Sequence, residues 1–125
     1  MAEEFLTILT GCGMDVRRST IEEHDRAMAA VQVLHHHALL AFSQTLGEIV
    51  SETQLSQFVT ESLEKTFQNL EGMEQNWGTI SAIQRLNPYA QDVREAFSVA
   101  ARESINFDEK SRIMLQRALS LLRSP

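Results

Sequence analysis

Thr20-Ile21-Glu22-Glu23-His24-Asp25-Arg26-Ala27-Met28-Ala29-Ala30-Val31-Gln32-Val33-Leu34-His35-His36-His37 is the stretch whose reading decides the fold, and it runs on without proline to Ile49. Thr20 and Glu23 have the spacing of a capping box, in which the Thr hydroxyl accepts from the N3 amide and the Glu reaches back. Glu22, Glu23 and Asp25 fall in the first turn, where the helix dipole favours negative charge. Met28, Val31, Leu34, Ala38, Phe42, Leu46 and Ile49 recur at helical spacing, and Ala27, Ala30, Val33, Leu39, Leu40 and Ala41 fill the other faces. A helix apolar on nearly all sides is a central, buried one. About 30 residues at ~1.5 Å each make a rod of roughly 45 Å. A compact domain of this chain length has a diameter of about 35 Å. The rod therefore overhangs its own monomer, and the overhang still carries Phe42, Leu46 and Ile49. A second subunit is the simplest cover; a kink near His35 to His37 that folds the helix back is the alternative.

Outward from this rod the rest of the chain also reads as helix. Glu3 to Thr10 forms a short helix ended by Gly11 and Gly13. Met14 to Arg18 reads as a short strand with no partner in the sequence, so it borders a sheet outside these residues, pairs across a dimer, or is not a strand. Ser51-Glu52-Thr53-Gln54 has a second capping-box spacing. Leu55, Val59, Leu63, Phe67, Leu70 and Met73 continue a helical stripe with breaks expected near Thr60 and Gly72. Asn76-Trp77-Gly78 reads as a loop or break, and Thr79 to Leu86 as a short helix. Asn87-Pro88 has the residues of an N-cap and first helical position. Val93, Ala96, Phe97, Ala100 and Ala101 mark one face of the next helix. After Asn106-Phe107-Asp108, a last helix carries Ile113, Met114, Ala118, Leu121 and Leu122. The expected fold is an all-α helical bundle with one long central helix, preceded by a short helix and strand.

Composition bounds the function. The 125 residues make one domain's worth of chain, able to bury roughly two-thirds of its extended surface. A net charge of −6 opposes a general nucleic-acid binder. No apolar run reaches the ~20 residues of a membrane span, and the acidic start, MAEEF, is unlike a secretory signal or basic transit peptide. A single cysteine, Cys12, forms no internal disulfide, and the cytoplasm is the default compartment. No glycine-rich phosphate loop is present.

His35-His36-His37 is a poor single-metal site, because consecutive helical residues lie ~100° apart and spread around the rod. Gln32 and His36 are i,i+4 neighbours on an apolar helix. Either they bond to each other and to nearby backbone, or they face a ligand cleft. Cys12, in a Gly-Cys-Gly turn, has no base nearby in sequence. Trp77 and Tyr89 flank the helix of Arg85 and line a pocket or join the core. Arg85, Arg94 and Arg102 are candidates for anion pairing, or solvated surface residues.

The run Gly13-Met14-Asp15-Val16, the E-E-H-D segment Glu22-Glu23-His24-Asp25 and the V-Q-x-L-x-H segment Val31-Gln32-Val33-Leu34-His35-His36 together resemble the domain junction of prephenate dehydrogenases. Asn87-Pro88-Tyr89-Ala90 resembles the N-P segment later in that family's C-terminal domain. The resemblance covers residues 3–105. It implies that residues 1–19 are the tail of a nucleotide-binding domain, and that residues 20–125 form the helical dimerisation and substrate-side domain of an intertwined homodimer, similar in fold to the C-terminal domains of the 6-phosphogluconate dehydrogenase type. It implies substrate-binding roles for His36, Gln32 and Arg85, prephenate or a related aromatic carboxylate as ligand, and NAD or NADP as cofactor of the whole enzyme. The reaction implied is oxidative decarboxylation of prephenate to 4-hydroxyphenylpyruvate, in tyrosine biosynthesis. No cofactor, metal or catalytic residue is assigned to this chain, which is expected to dimerise and not to catalyse alone. The family's carboxylate-binding arginine aligns with Ala82, and Arg85 follows one helical turn on. The alternative is a non-enzymatic helical homodimer with a regulatory or scaffold role.

Overall fold

The computed structural model describes residues 1–51, 55–103 and 106–123. The order is α1 (Ala2–Gly11), α2 (Ile21–Met28), a π-helical segment (Ala29–Leu34), α3 (His35–Ile49), α4 (Glu61–Gln75), α5 (Trp77–Leu86), α6 (Ala90–Glu103) and α7 (Glu109–Arg123). The chain is all-helical, and no strand occurs among the described residues. The segment from Met14 to Thr20 carries no regular structure. A strand there needs a ladder partner that the described residues do not supply.

Local chemistry places the helix ends. Gly13 takes φ +81°, its N–H bonds to Thr10 O at 3.0 Å, and Met14 N bonds to Leu9 O at 3.2 Å. This is a Schellman stop, and it needs a left-handed residue that glycine supplies without strain. Arg18 then pairs with Glu3. At Thr20 the capping box is complete: Glu23 N donates to Thr20 Oγ1 at 3.1 Å, and Thr20 N donates to Glu23 Oε2 at 2.8 Å. Bonding to the Thr20 backbone and hydroxyl holds the Glu23 carboxyl below its ordinary value. Asn76 alone separates α4 from α5, its side chain donating to Gly72 O at 2.9 Å. The expected break at Asn76-Trp77-Gly78 is thus one residue wide, and Gly72 stays inside α4. Thr60 caps α4 by accepting from Leu63 N. Asn87 Oδ1 accepts from Tyr89 N at 2.9 Å, as the Asn-Pro reading requires. Asp108 caps α7 through Ser111 N. The capping box expected at Ser51 to Gln54 lies largely outside the described residues.

From Ile21 to Ile49 the helical backbone is continuous. Met28, Ala29, Leu34 and His35 all keep right-handed helical angles across the π segment, so the expected alternative of a fold-back kink is not what the chain does. The π register moves the rod's buried face. Ala29 and Val33 are buried, Val33 at 0 % exposure, while Val31, Leu34, Phe42 and Ile49 from the expected stripe stand open. A rod apolar on all faces gives periodicity no way to choose a side, and an i→i+5 turn then shifts the side chosen.

The rod's middle is packed by its own chain. α6 and α5 lie against the π segment, and α4 lies against α3. Ile80 of α5, Ala90 of α6 and Met73 of α4 complete the buried set. By contrast, no residue of α1 or α7 is buried. The chain exposes 10570 Å². A compact monomer of this mass exposes about 6,700 Å², and the extended chain about 20,000 Å². Folding as a single copy thus buries roughly half of the extended surface, not the two-thirds expected from length.

Candidate functional site

The site grows from the junction of the π segment and α3. Gln84 Nε2, from α5, donates to Val33 O at 3.0 Å. Arg94, from α6, donates from Nη1 to both Gln84 O at 3.2 Å and Gln84 Oε1 at 2.9 Å. One amide therefore fixes three elements around the start of α3. His36 and His37 follow on that first turn. With Arg85, Arg94 and Trp77 they line a cavity of about 290 Å³, whose floor is Leu40, Met73 and Ile80.

The His36 Nδ1 atom is buried and has no hydrogen-bond partner. Burial first, and the neighbouring His35 second, push the His36 imidazole below its ordinary pKa. Burial, and then Arg94, do the same to His37, whose ring meets Phe97 edge-on at 5.1 Å. Both imidazoles are therefore favoured neutral at pH 7, and each keeps an acceptor nitrogen. No carboxylate lines the cavity, and neither Arg85 nor Arg94 has an acidic partner among the described residues.

The three residues expected at the site are only partly brought together. His36 and Arg85 share the 290 Å³ cavity. Gln32 shares a second cleft of about 320 Å³ with His36, Asn69, Asn76 and Thr79. Gln32 and Arg85 do not line one common cavity. Ala82 lines a third cleft with Gln32, His24 and Asn87, so Arg85 does not occupy the place an arginine at position 82 would take. No bond joins Gln32 to His36 among the described residues: the i,i+4 geometry assumed for them is that of an α-helix, and Gln32 sits in the π segment. Trp77 is a cavity wall, half exposed.

Sequence reasoning missed the Gln84 clamp on Arg94. Its signal was slight, an amide on a half-apolar helix face with no partner in its own helix. A second polar cluster was also missed. Arg26 pairs with Glu22 at 2.7 Å, donates to Tyr89 Oη at 3.2 Å and lies 5.3 Å over the Tyr89 ring. It stands at one end of an open groove of about 560 Å³ between the rod and α6, lined by Ala29, Leu34, Val93, Ala96 and Phe97. No set of three or more His, Cys, Asp or Glu side chains among the described residues is placed to hold a metal ion. No helix among them is long and apolar enough to cross a membrane.

Comparison of the chain with protein-family models, with curated proteins and with solved structures finds no match. The fold and the site themselves define an all-helical chain with an acid-free cleft beside a long apolar rod.

Proposed function

We propose that this chain is the helical dimerisation and substrate-side domain of a prephenate-dehydrogenase-type protein, acting in the cytoplasm as an intertwined homodimer. The observation that carries the reading is the place of His36. The histidine of the V-Q-x-L-x-H segment lines a cavity with two arginines and no carboxylate, its Nδ1 left without a partner. The ring of such a substrate fits this largely apolar wall. The surplus of exposed surface, roughly 3,900 Å² per chain over a compact monomer, supports an assembly, since obligate interfaces bury about 1,000–2,500 Å² on each partner. In this reading residues 1–19 border a nucleotide-binding domain, whose sheet would pair Met14 to Arg18 and whose NAD or NADP would take the hydride. Holding cofactor against substrate is most of what such a protein supplies, so the 125 residues alone bind and dimerise without catalysing.

Ala82 favours a second reading, a non-enzymatic helical homodimer with a regulatory or scaffold role, because a missing guanidinium removes a bidentate carboxylate contact. Multi-angle light scattering at micromolar concentration is expected to give twice the 14.1 kDa chain mass, and a clean 14.1 kDa particle rejects the dimer. Calorimetric titration with prephenate and with 4-hydroxyphenylpyruvate decides between the readings: heat of binding supports the first, and none at millimolar ligand supports the second.

A further inference from the structure

The groove of about 560 Å³ between the π segment and α6 has an apolar floor, Ala29, Leu34, Val93, Ala96 and Phe97, and no residue of α7 lines it. Arg26 at one end is already paired with Glu22, so Asp92 is the groove's unpaired charge among the described residues. Asp92, Ala96, Val99 and Glu103 fall at i, i+4, i+7 and i+11 on α6, one stripe bordering the groove with an acid at each end, about 16 Å apart. Val99 in that stripe is 45 % exposed.

Helix α7 carries the counterpart. Met114, Leu115, Ala118, Leu119, Leu121 and Leu122 form one apolar arc, and no residue of the helix is buried. Lys110 and Arg117 flank the arc on one side, Arg112 and Arg123 on the other. Arg112 and Arg123 are eleven residues apart, the spacing of Asp92 and Glu103. With one acid, Glu109, against four cations, α7 has a net charge of +3, which leaves the rest of the chain at −9 within the total of −6. The pair of Arg112 with Glu109 is exposed, and such a pair holds little. Helix α1, also unburied, carries Glu3 and Glu4 and no cation, so the acidic edge repels it. The surplus of exposed surface, roughly 3,900 Å² per chain, exceeds the about 1,000–2,500 Å² that an obligate interface takes from each partner. Area and charge together name a second copy of the chain as the occupant of the groove.

We propose that in the homodimer α7 of each copy lies in the groove between the π segment and α6 of the other, its apolar arc on the floor and Arg112 and Arg123 against Asp92 and Glu103. The exchange is reciprocal and closes after two chains. The proposal rests on the homodimer reading for its second copy, and it requires neither prephenate nor a nucleotide-binding domain.

Two full chains test the seat, each with Cys12→Ser so that the introduced thiol is the only one. One carries Ala96→Cys on the groove floor, the other Ala118→Cys at the centre of the arc. A short bismaleimide is expected to join them at twice the chain mass when they are mixed, and to leave either chain alone unjoined. By sedimentation equilibrium, Leu121→Ser with Leu122→Ser is expected to weaken the dimer about a hundredfold. Asp92→Lys with Glu103→Lys is expected to weaken it about tenfold, and adding Arg112→Glu and Arg123→Glu to the same chain is expected to restore it. Gln116→Ala, on the far face of α7, is expected to change nothing. Circular dichroism checks that each variant keeps its helices.

A chain with both Ala96→Cys and Ala118→Cys that closes on itself at 14.1 kDa overturns the proposal, because the groove is then filled by its own helix. Mixed chains that stay unjoined, with a dimer that survives Leu121→Ser and Leu122→Ser, overturn the seat and leave the homodimer reading standing. Failure of the fourfold reversal to restore the dimer overturns the pairing of Arg112 and Arg123 with the acidic edge. A monomer throughout overturns both the seat and the homodimer, and one that sediments through α7 with phosphatidylglycerol vesicles assigns the helix to a lipid surface instead.

Discussion

The middle of the rod and the two ends of the chain both carry large apolar side chains and reach opposite outcomes. Around Ala29 and Val33, helices α5 and α6 close over the π segment, and long-range bonds from Gln84 to Val33 O and from Asn87 to Asp25 O pin them there. In α7, residues as apolar as Ile113, Leu115 and Leu122 stand more than half exposed, Leu122 at 83 %. Helix α1 is similar, with Phe5 and Ile8 open. Hydrophobic burial stabilises in proportion to the area removed from water, so the middle holds itself and the ends do not. The difference is between a junction closed over by its own chain and two terminal helices, α1 and α7, none of whose residues is buried. Their exposed apolar area exceeds what single scattered side chains explain.

The sharpest way to break the comparison is a pair of truncations. Val33→Ala removes two methyl groups from a fully buried site and is expected to cost about 2 kcal/mol. In denaturant titrations that loss should appear at every protein concentration. Ile113→Ala, in the uncovered helix, is expected to act only through assembly, so its effect should fade on dilution into the monomer range. Equal, concentration-independent losses at both positions would show that α7 packs on its own chain and would erase the distinction.

Next in size is the clamp. Gln84→Ala removes the amide donor to Val33 O and the side-chain acceptor of Arg94, leaving Arg94 on the backbone carbonyl of residue 84 alone, and a net loss of about 1–2 kcal/mol is expected, read by the same titrations. A loss near zero would mean that the middle is held by apolar packing alone. The clamp also marks where sequence reading runs out. Helical periodicity and caps made most of the architecture legible: the rod from Thr20 to Ile49, the stops at Gly13 and Thr60, and the Asn87 corner. The long rod gave no preferred face, because apolar residues surround it, and a π segment has no composition signature to betray its shift of register. The candidate site was legible at His36, through the polar residue on an apolar helix. It was illegible at Gln84, where an ordinary surface-type amide becomes structural only once three elements meet.

A smaller effect separates the histidine turn from the surface histidines. In the folded chain His36 and His37 are pushed below the ordinary imidazole value of 6.5, chiefly by burial. As pH falls through that value the unfolded chain takes up protons first. Stability is therefore full above about pH 7, declines as pH drops past 6.5, and levels off below the depressed folded values. His36→Gln is expected to flatten part of that slope, and His37→Gln the rest. Thermal melts between pH 5 and about pH 8 test this, at fixed concentration. A slope unchanged in the double variant would place the titration elsewhere.

The smallest expected effect probes the link between the two regions. Phe107, just before α7, is held at φ +46°, a left-handed conformation that costs a bulky side chain about 1–2 kcal/mol. Glycine relieves that strain and gives back part of the gain through its greater freedom in the unfolded chain, about 0.5–1 kcal/mol. Phe107→Gly is thus expected to stabilise by about 0.5 kcal/mol, but only where the turn is part of the folded unit. If α7 is docked on a second copy, the gain should appear in the dimer and vanish on dilution. If α7 never docks, the turn is released together with its helix, and the substitution should leave every denaturation curve where it was.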